Sequence, residues 1–193
     1  EKAKVERIQF DIMDGKFVPN SGVPKNFLGK LRPYTKIFLE AHLMVQKPEN
    51  YIKQFSKMGC DLLIFHVEAA AKPFRIIHLI EDAGMQAGIA VNRKTRVEKI
   101  FPYLDDVSLA LVMGVDAGFG GQKFSQAALG KISCLRKKIY SESLKCEIEV
   151  DGGINLETGK KCVKAGADVL VAGTYIFKHP KGIPQAIREL HGL

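Results

Sequence analysis

The chain has 193 residues, enough for one domain with a full hydrophobic core. Its 46% hydrophobic and 26% charged residues are the balance of a folded globular chain, which excludes a disordered one, and no apolar run reaches the length of a membrane span. The net charge of +8 is able to attract anions, but the basic residues are spread along the chain and the paired ones (Arg136 to Lys138, Lys160 with Lys161) fall in helical patterns. A solvated basic face is therefore expected, with no nucleic-acid partner and no membrane partner.

In chain order, short β-rich runs fall at 7–13, 37–44, 62–66, 87–91, 107–115, 146–150 and 169–172. Helical patterns lie between them. Pro48 opens one, with Ile52 and Phe55 inward and Gly59 as its stop. Pro73 opens the next, with Ile76, Ile77 and Ile80 inward and Gly84 at its end. A third carries Ile132, Leu135 and Ile139, and its start is expected near Phe124. Lys57–Asp61, Asp82–Gln86 and Lys164–Asp168 each set a glycine where a left-handed helix end is needed, directly before a strand. Apolar strands alternating with helices predict a parallel sheet. Asp11, His42, His66, Asn92, Gly118, Asp151 and Gly173 recur at strand C-terminal ends, and a closed barrel gathers all such ends around one site. The expected fold is an α/β TIM (β/α)8 barrel with seven βα units visible, residues 1–193 forming one domain that lacks a first βα unit.

Cys60, Cys134, Cys146 and Cys162 form no C-x-x-C pair and match no zinc spacing, so reduced thiols and a cytoplasmic location are expected. Asp11 and Asp151 each end an apolar strand, and they come from well-separated strands, an arrangement suited to a two-base proton transfer or to plain loop capping. Asp14 reads as the capping residue of the first loop. Gly118-Phe119-Gly120-Gly121 follows a strand, and Gly152, Gly153, Gly173 and Thr174 end the last two; bare backbone N–H groups at these places suit a phosphate, although glycines also serve plain turns.

The segments DIMDGKFVPN (11–20), HLMV (42–45), FHVEA (65–69), LVMGVDAGFGGQKF (111–124), EIEVDGGI (147–154) and AGADVLVAGT (165–174) resemble, in order, those of the ribulose-phosphate 3-epimerase family. The resemblance covers the chain from the end of that family's first helix; the family's first strand, with its substrate-binding serine, has no counterpart, and a truncated sequence is the expected reason. It implies reversible epimerisation of ribulose 5-phosphate to xylulose 5-phosphate at C3. A 3-epimerase of a ketohexose 6-phosphate such as allulose 6-phosphate, and a non-catalytic sugar-phosphate-binding protein, are the alternatives. The resemblance implies Asp11 and Asp151 as acid and base, and one divalent metal (Zn, Fe, Mn, Co or Mg) held by Asp11, His42 and Asp151. Gln9 stands where the family has a second histidine ligand; an amide oxygen is a harder, weaker ligand that shifts preference from zinc towards magnesium or manganese, so its role is open. Met13, Met44 and Met113 match methionines around the family's reacting centre, His42 and the glycine loops contact the phosphorylated ketose, and homo-oligomerisation is open. His66 and Glu68 read as supporting residues. Arg93, Asp116 and Ala117 replace residues usual in the family and are expected to loosen loops near the site.

Overall fold

A strand that is apolar on both faces must be covered on both. In the computed structural model, which describes residues 2–193, that requirement is met by one curled parallel sheet. Its strands are β1 (Arg7–Met13), β2 (Phe38–Met44), β3 (Leu62–His66), β4 (Gln86–Val91), β5 (Leu109–Met113), β6 (Glu147–Asp151) and β7 (Val169–Val171). They lie side by side in sequence order, every adjacent pair parallel. The helices are α1 (Phe27–Leu31), α2 (Ile52–Lys57), α3 (Pro73–Asp82), α4 (Ala127–Ser141), α5 (Leu156–Ala165), α6 (Thr174–Phe177) and α7 (Ile183–His191). The β4–β5 connection is a 3-10 segment, Val97–Tyr103, with Pro102 inside it. Helix α4 starts at Ala127 rather than near Phe124, and Phe124 is buried, its ring lying where a side chain on Gly114 would fall. Among the described residues no helix is long and apolar enough to cross a membrane.

Alternation along each strand divides the core in two. Phe10, Ile12, Leu39, Leu43, Phe65, Ile89, Val112 and Ile148 face the helices. Leu62, Ile64, Ala90, Leu109, Leu111 and Met113 fill the inside of the barrel on the β3–β5 side. Opposite them the interior is polar, with Gln9, Glu40 and Glu149 on β1, β2 and β6. The sheet curls far enough for β1 and β6 to meet across it: Gln9 reaches Asp151 at 3.1 Å and Arg7 reaches Glu147 at 2.5 Å. The seven strands thus form a nearly closed barrel.

The glycines of the repeated helix-to-strand turn have φ of +74° at Gly59, +80° at Gly84 and +112° at Gly166. Two of these turns share one clamp. Arg32 donates to the Gly59 carbonyl and to Asp61, whose carboxylate accepts the Leu39 N–H at 2.8 Å. Arg136 does the same with the Gly166 carbonyl and Asp168, which accepts the Ile148 N–H at 2.8 Å. A methyl at Gly166 would be strained by its φ and would lie 2.8 Å from the Arg136 side chain. Gly166→Ala is therefore expected to lower stability by about 1–2 kcal/mol or more, read as a lower urea midpoint at unchanged slope; an unchanged midpoint would refute the role given to this turn.

Candidate active site

Four side chains converge at the C-terminal end of the barrel. Asp11 and His42 are direct neighbours in the β1–β2 register, and Asp151 ends β6 opposite Met113 of β5. His42 Nδ1 lies 3.3 Å from Asp11 Oδ1 and 3.5 Å from Asp151 Oδ2. Gln9, two residues before Asp11 and so on the same strand face, donates from Nε2 to Asp11 at 2.9 Å and to Asp151 at 3.1 Å. His42 is fully buried. Burial alone would lower its pKa, but the nearby charges of Asp11 and Asp151 outweigh it and raise the imidazole to about 9. The two carboxylates differ. Burial opposes ionisation of Asp11, yet the nearby His42 charge and the hydrogen bond from the Gln9 amide hold it below the usual range. Burial and the Asp11 charge push Asp151 above that range despite His42. The fold places these four side chains together, and Asp14 caps its loop, accepting the Lys16, Phe17 and Gln46 N–H groups.

The donor set fits a divalent cation at three positions. One ligand atom each from Asp11, His42 and Asp151 lie within 4.8 Å of one another. His42 Nδ1 is buried without a hydrogen-bond partner, as expected of an atom whose partner would be an ion; Gln9 Oε1 is also buried without a partner. Gln9 differs from the other three: its N–H2 end, not its oxygen, faces the carboxylates.

With no ion, the linkage has a definite sign. His42 titrates at about 9 folded against 6.5 for an ordinary histidine. Its contribution is complete below pH 6.5 and is lost as pH rises through 9. Glu149, whose carboxyl is raised by burial and by the Glu40 charge, acts in the same direction. Chelator-treated protein is expected to lose on the order of 3 kcal/mol between pH 6.5 and pH 9 in urea unfolding; stability that is flat or rising over that window would contradict the His42 environment.

The methionines line the same end. Met13 and Met44 cluster with Val18, and Phe17 packs on them and over the His66 ring at 5.0 Å. Met113 faces inward beside Asp151 in register. The glycines split into two kinds. Side chains at Gly152 and Gly153 would strike Val115 and Phe124, so these are sites of close packing between the β5 and β6 loops. Gly121 and Gly173 face open space, and a methyl at Gly120 would meet only Thr174 Oγ1, at 4.0 Å. The β5 loop at Gly120 thus comes near the start of α6 at Thr174, with bare backbone at Gly121 and Gly173. Asn20 ties the first loop to the β5 loop, donating to the Gly118 carbonyl at 2.9 Å. Arg93 and Asp116 do not loosen their loops: they form a bidentate ion pair, at 2.8 and 2.7 Å, that bridges the β4 and β5 loops.

Sequence reasoning missed the pair below the site. Glu40 and Glu149 are nearly or fully buried, two residues before His42 and Asp151 respectively. Both Glu149 oxygens are buried without a hydrogen-bond partner, and burial raises both carboxyls. Arg7 Nη1 is 3.8 Å from Glu40. The available signal was strand parity: charged residues on the inward face of otherwise apolar strands.

The family model described as "Ribulose-phosphate 3 epimerase family" matches residues 1–177. Ribulose-phosphate 3-epimerase from Bacillus subtilis is 40% identical over 193 residues, covering 100% of this chain and 88% of the relative. The rice protein named as the cytoplasmic isoform of the same enzyme is 38% identical over 188 residues, covering 94% and 81%. Among solved structures, KGPDC from Streptococcus mutans superposes with a TM-score of 0.73 at 18% identity, covering 97% of this chain and 84% of that one, which shows the shared TIM-barrel fold. The chain belongs to the ribulose-phosphate 3-epimerase family.

Proposed function

We propose that this chain carries out its family's isomerase reaction with Asp11 and Asp151 as the two proton-transfer groups. The activity is that of a ribulose-phosphate 3-epimerase, which inverts C3 of ribulose 5-phosphate to give xylulose 5-phosphate. Inversion beside a ketone takes a proton from one face of the carbon and returns one to the other, so two groups must flank it. The observation that carries this reading is the convergence of two carboxylates, from β1 and β6, on the single nitrogen of His42. Their environments are opposed, Asp11 shifted below and Asp151 above the usual carboxylate range. In one direction Asp11 removes the C3 proton and Asp151 delivers one to the opposite face; in the reverse direction the roles exchange.

Asp11, His42 and Asp151 would hold a divalent ion, which when bound supplies positive charge beside the developing enediolate. Met13, Met44, Met113 and Phe17 keep water from the reactive intermediate. The open backbone at Gly120, Gly121 and Gly173, with Thr174, takes the phosphate. The rice relative's name and the four unpaired cysteines support a cytoplasmic location. The test is proton exchange at C3 of ribulose 5-phosphate in deuterated water, followed by NMR with Mn²⁺ or Mg²⁺ added. Deuterium at C3 with xylulose 5-phosphate formation is expected. Binding of the sugar phosphate without exchange, under every ion tried, would reduce the chain to a binding protein.

A further inference from the structure

Behind His42 runs a chain of groups with no part in the proton transfer. His42 Nε2 meets His66 Nε2 at 2.8 Å. His66 Nδ1 meets Glu68 Oε2 at 3.2 Å, and Glu68 Oε1 accepts the Asn92 N–H at 2.9 Å. Both histidines are fully buried, and their rings are held 4.9 Å apart at 28°. The loop that supplies the Asn92 N–H is itself fixed: Lys131 Nζ donates to the carbonyls of Asn92, Arg93 and Thr95 at 2.7, 2.8 and 2.6 Å.

Donor and acceptor counting leaves one consistent pattern. A carboxylate only accepts, so Glu68 requires a proton on His66 Nδ1. A neutral His66 then has a lone pair on Nε2. That lone pair requires a proton on His42 Nε2, 2.8 Å away. His42 is left with Nδ1 as its only variable atom, and Nδ1 is the atom facing Asp11 and Asp151. A neutral Nδ1 in that place points a lone pair at two carboxylates, which is tolerable only if a cation sits between them.

We propose that Glu68 and His66 are positioning residues that fix His42 with Nε2 protonated and Nδ1 presented to Asp11 and Asp151, so that the centre is built to take a cation. The inference rests on reading those three residues as the reaction centre. It adds that cation affinity is set two side chains away, at a carboxylate that touches neither ion nor substrate. Glutamine at position 68 shows why the carboxylate matters. Two donors, Asn92 N–H and His66 Nδ1–H, converge on the Glu68 oxygens, and an amide offers only one oxygen. If that oxygen keeps Asn92, the amide N–H2 faces His66 Nδ1 and favours the other tautomer, with the proton on Nε2. His42 then meets a donor where it had an acceptor, and its proton is driven to Nδ1, where it blocks a cation.

The test uses ¹⁵N-histidine-labelled full chain. In chelator-treated wild type, long-range ¹H–¹⁵N spectra are expected to show His66 protonated at Nδ1 and bare at Nε2; the opposite tautomer would overturn the proposal with no variant needed. Glu68→Gln is expected to switch the His66 tautomer and to weaken Mn²⁺ binding, followed by electron paramagnetic resonance, about 10–100-fold. A residue with only a structural role would lower the unfolding midpoint and leave tautomer and Mn²⁺ affinity within twofold of wild type, and that result would also overturn it. Failure of C3 exchange in a wild type that keeps this tautomer and this dependence on Glu68 would count against the proposed reaction, not against the positioning chain.

Discussion

Asp151→Asn is expected to lower turnover of ribulose 5-phosphate by at least about 10³-fold while the barrel stays folded. The substitution removes one of the two proposed proton carriers and preserves size. An asparagine still accepts from Gln9 through its oxygen, but it can neither take nor give a proton at C3. Asp151 is fully ionisable only against burial and the Asp11 charge, so its removal relieves electrostatic strain, and a stability equal to or above wild type is expected in urea. The two carboxylates also make a diagnostic split possible. If Asp11 serves one face of C3 and Asp151 the other, a variant lacking one of them retains washout of the C3 proton from the epimer whose proton faces the surviving carboxylate. Asp151→Asn should then exchange the C3 proton of one epimer with solvent deuterium without inverting it, and Asp11→Asn that of the other. Measurement of deuterium incorporation and inversion in the same NMR time course separates these outcomes. Full inversion by either variant would remove the two-base assignment.

The sequence made the barrel legible because its signals were local and repeated. Pro73 opens α3, Pro48 opens a 3-10 turn one step ahead of α2, and glycines at 59, 84 and 166 with positive φ end the helices. Strand parity then put Gln9 on the face of Asp11, which is where it lies. Local reading could not show contacts between units. The Arg32–Asp61 and Arg136–Asp168 clamps span 29 and 32 positions. Arg93 and Asp116 looked like separate changes that loosen two loops, and they are one ion pair between them. Glu40 and Glu149 lie on β2 and β6, which the sequence order of the sheet sets far apart and only barrel curvature brings together. His66 and Glu68 were visible as residues, but the alternation of protons that links them to His42 needs interatomic distances.

Gln9→His is expected to tighten Zn²⁺ binding by tenfold or more and to raise preference for Zn²⁺ over Mn²⁺, measured by competition against a chromophoric chelator. In the wild type the Gln9 N–H2 group holds both carboxylates, at 2.9 and 3.1 Å, much as a cation would. Its oxygen is buried with no partner. For Gln9 to ligate, the amide must turn over and give up two hydrogen bonds to charged acceptors, each worth about 1.5–3 kcal/mol, and the gain is one hard oxygen ligand. A histidine carries no such penalty when its facing nitrogen is unprotonated, and its softer nitrogen suits zinc. The same reasoning predicts the cost to the ion-free protein: histidine cannot bridge both carboxylates with one amide-like fork, so Asp11 and Asp151 repel more strongly and the chelator-treated variant unfolds at lower urea than wild type. Metal affinity and ion-free stability should therefore move in opposite directions in this one variant. If both rise, or if Zn²⁺ affinity is unchanged, Gln9 is not standing in for the cation, and the orphaned oxygen needs another explanation.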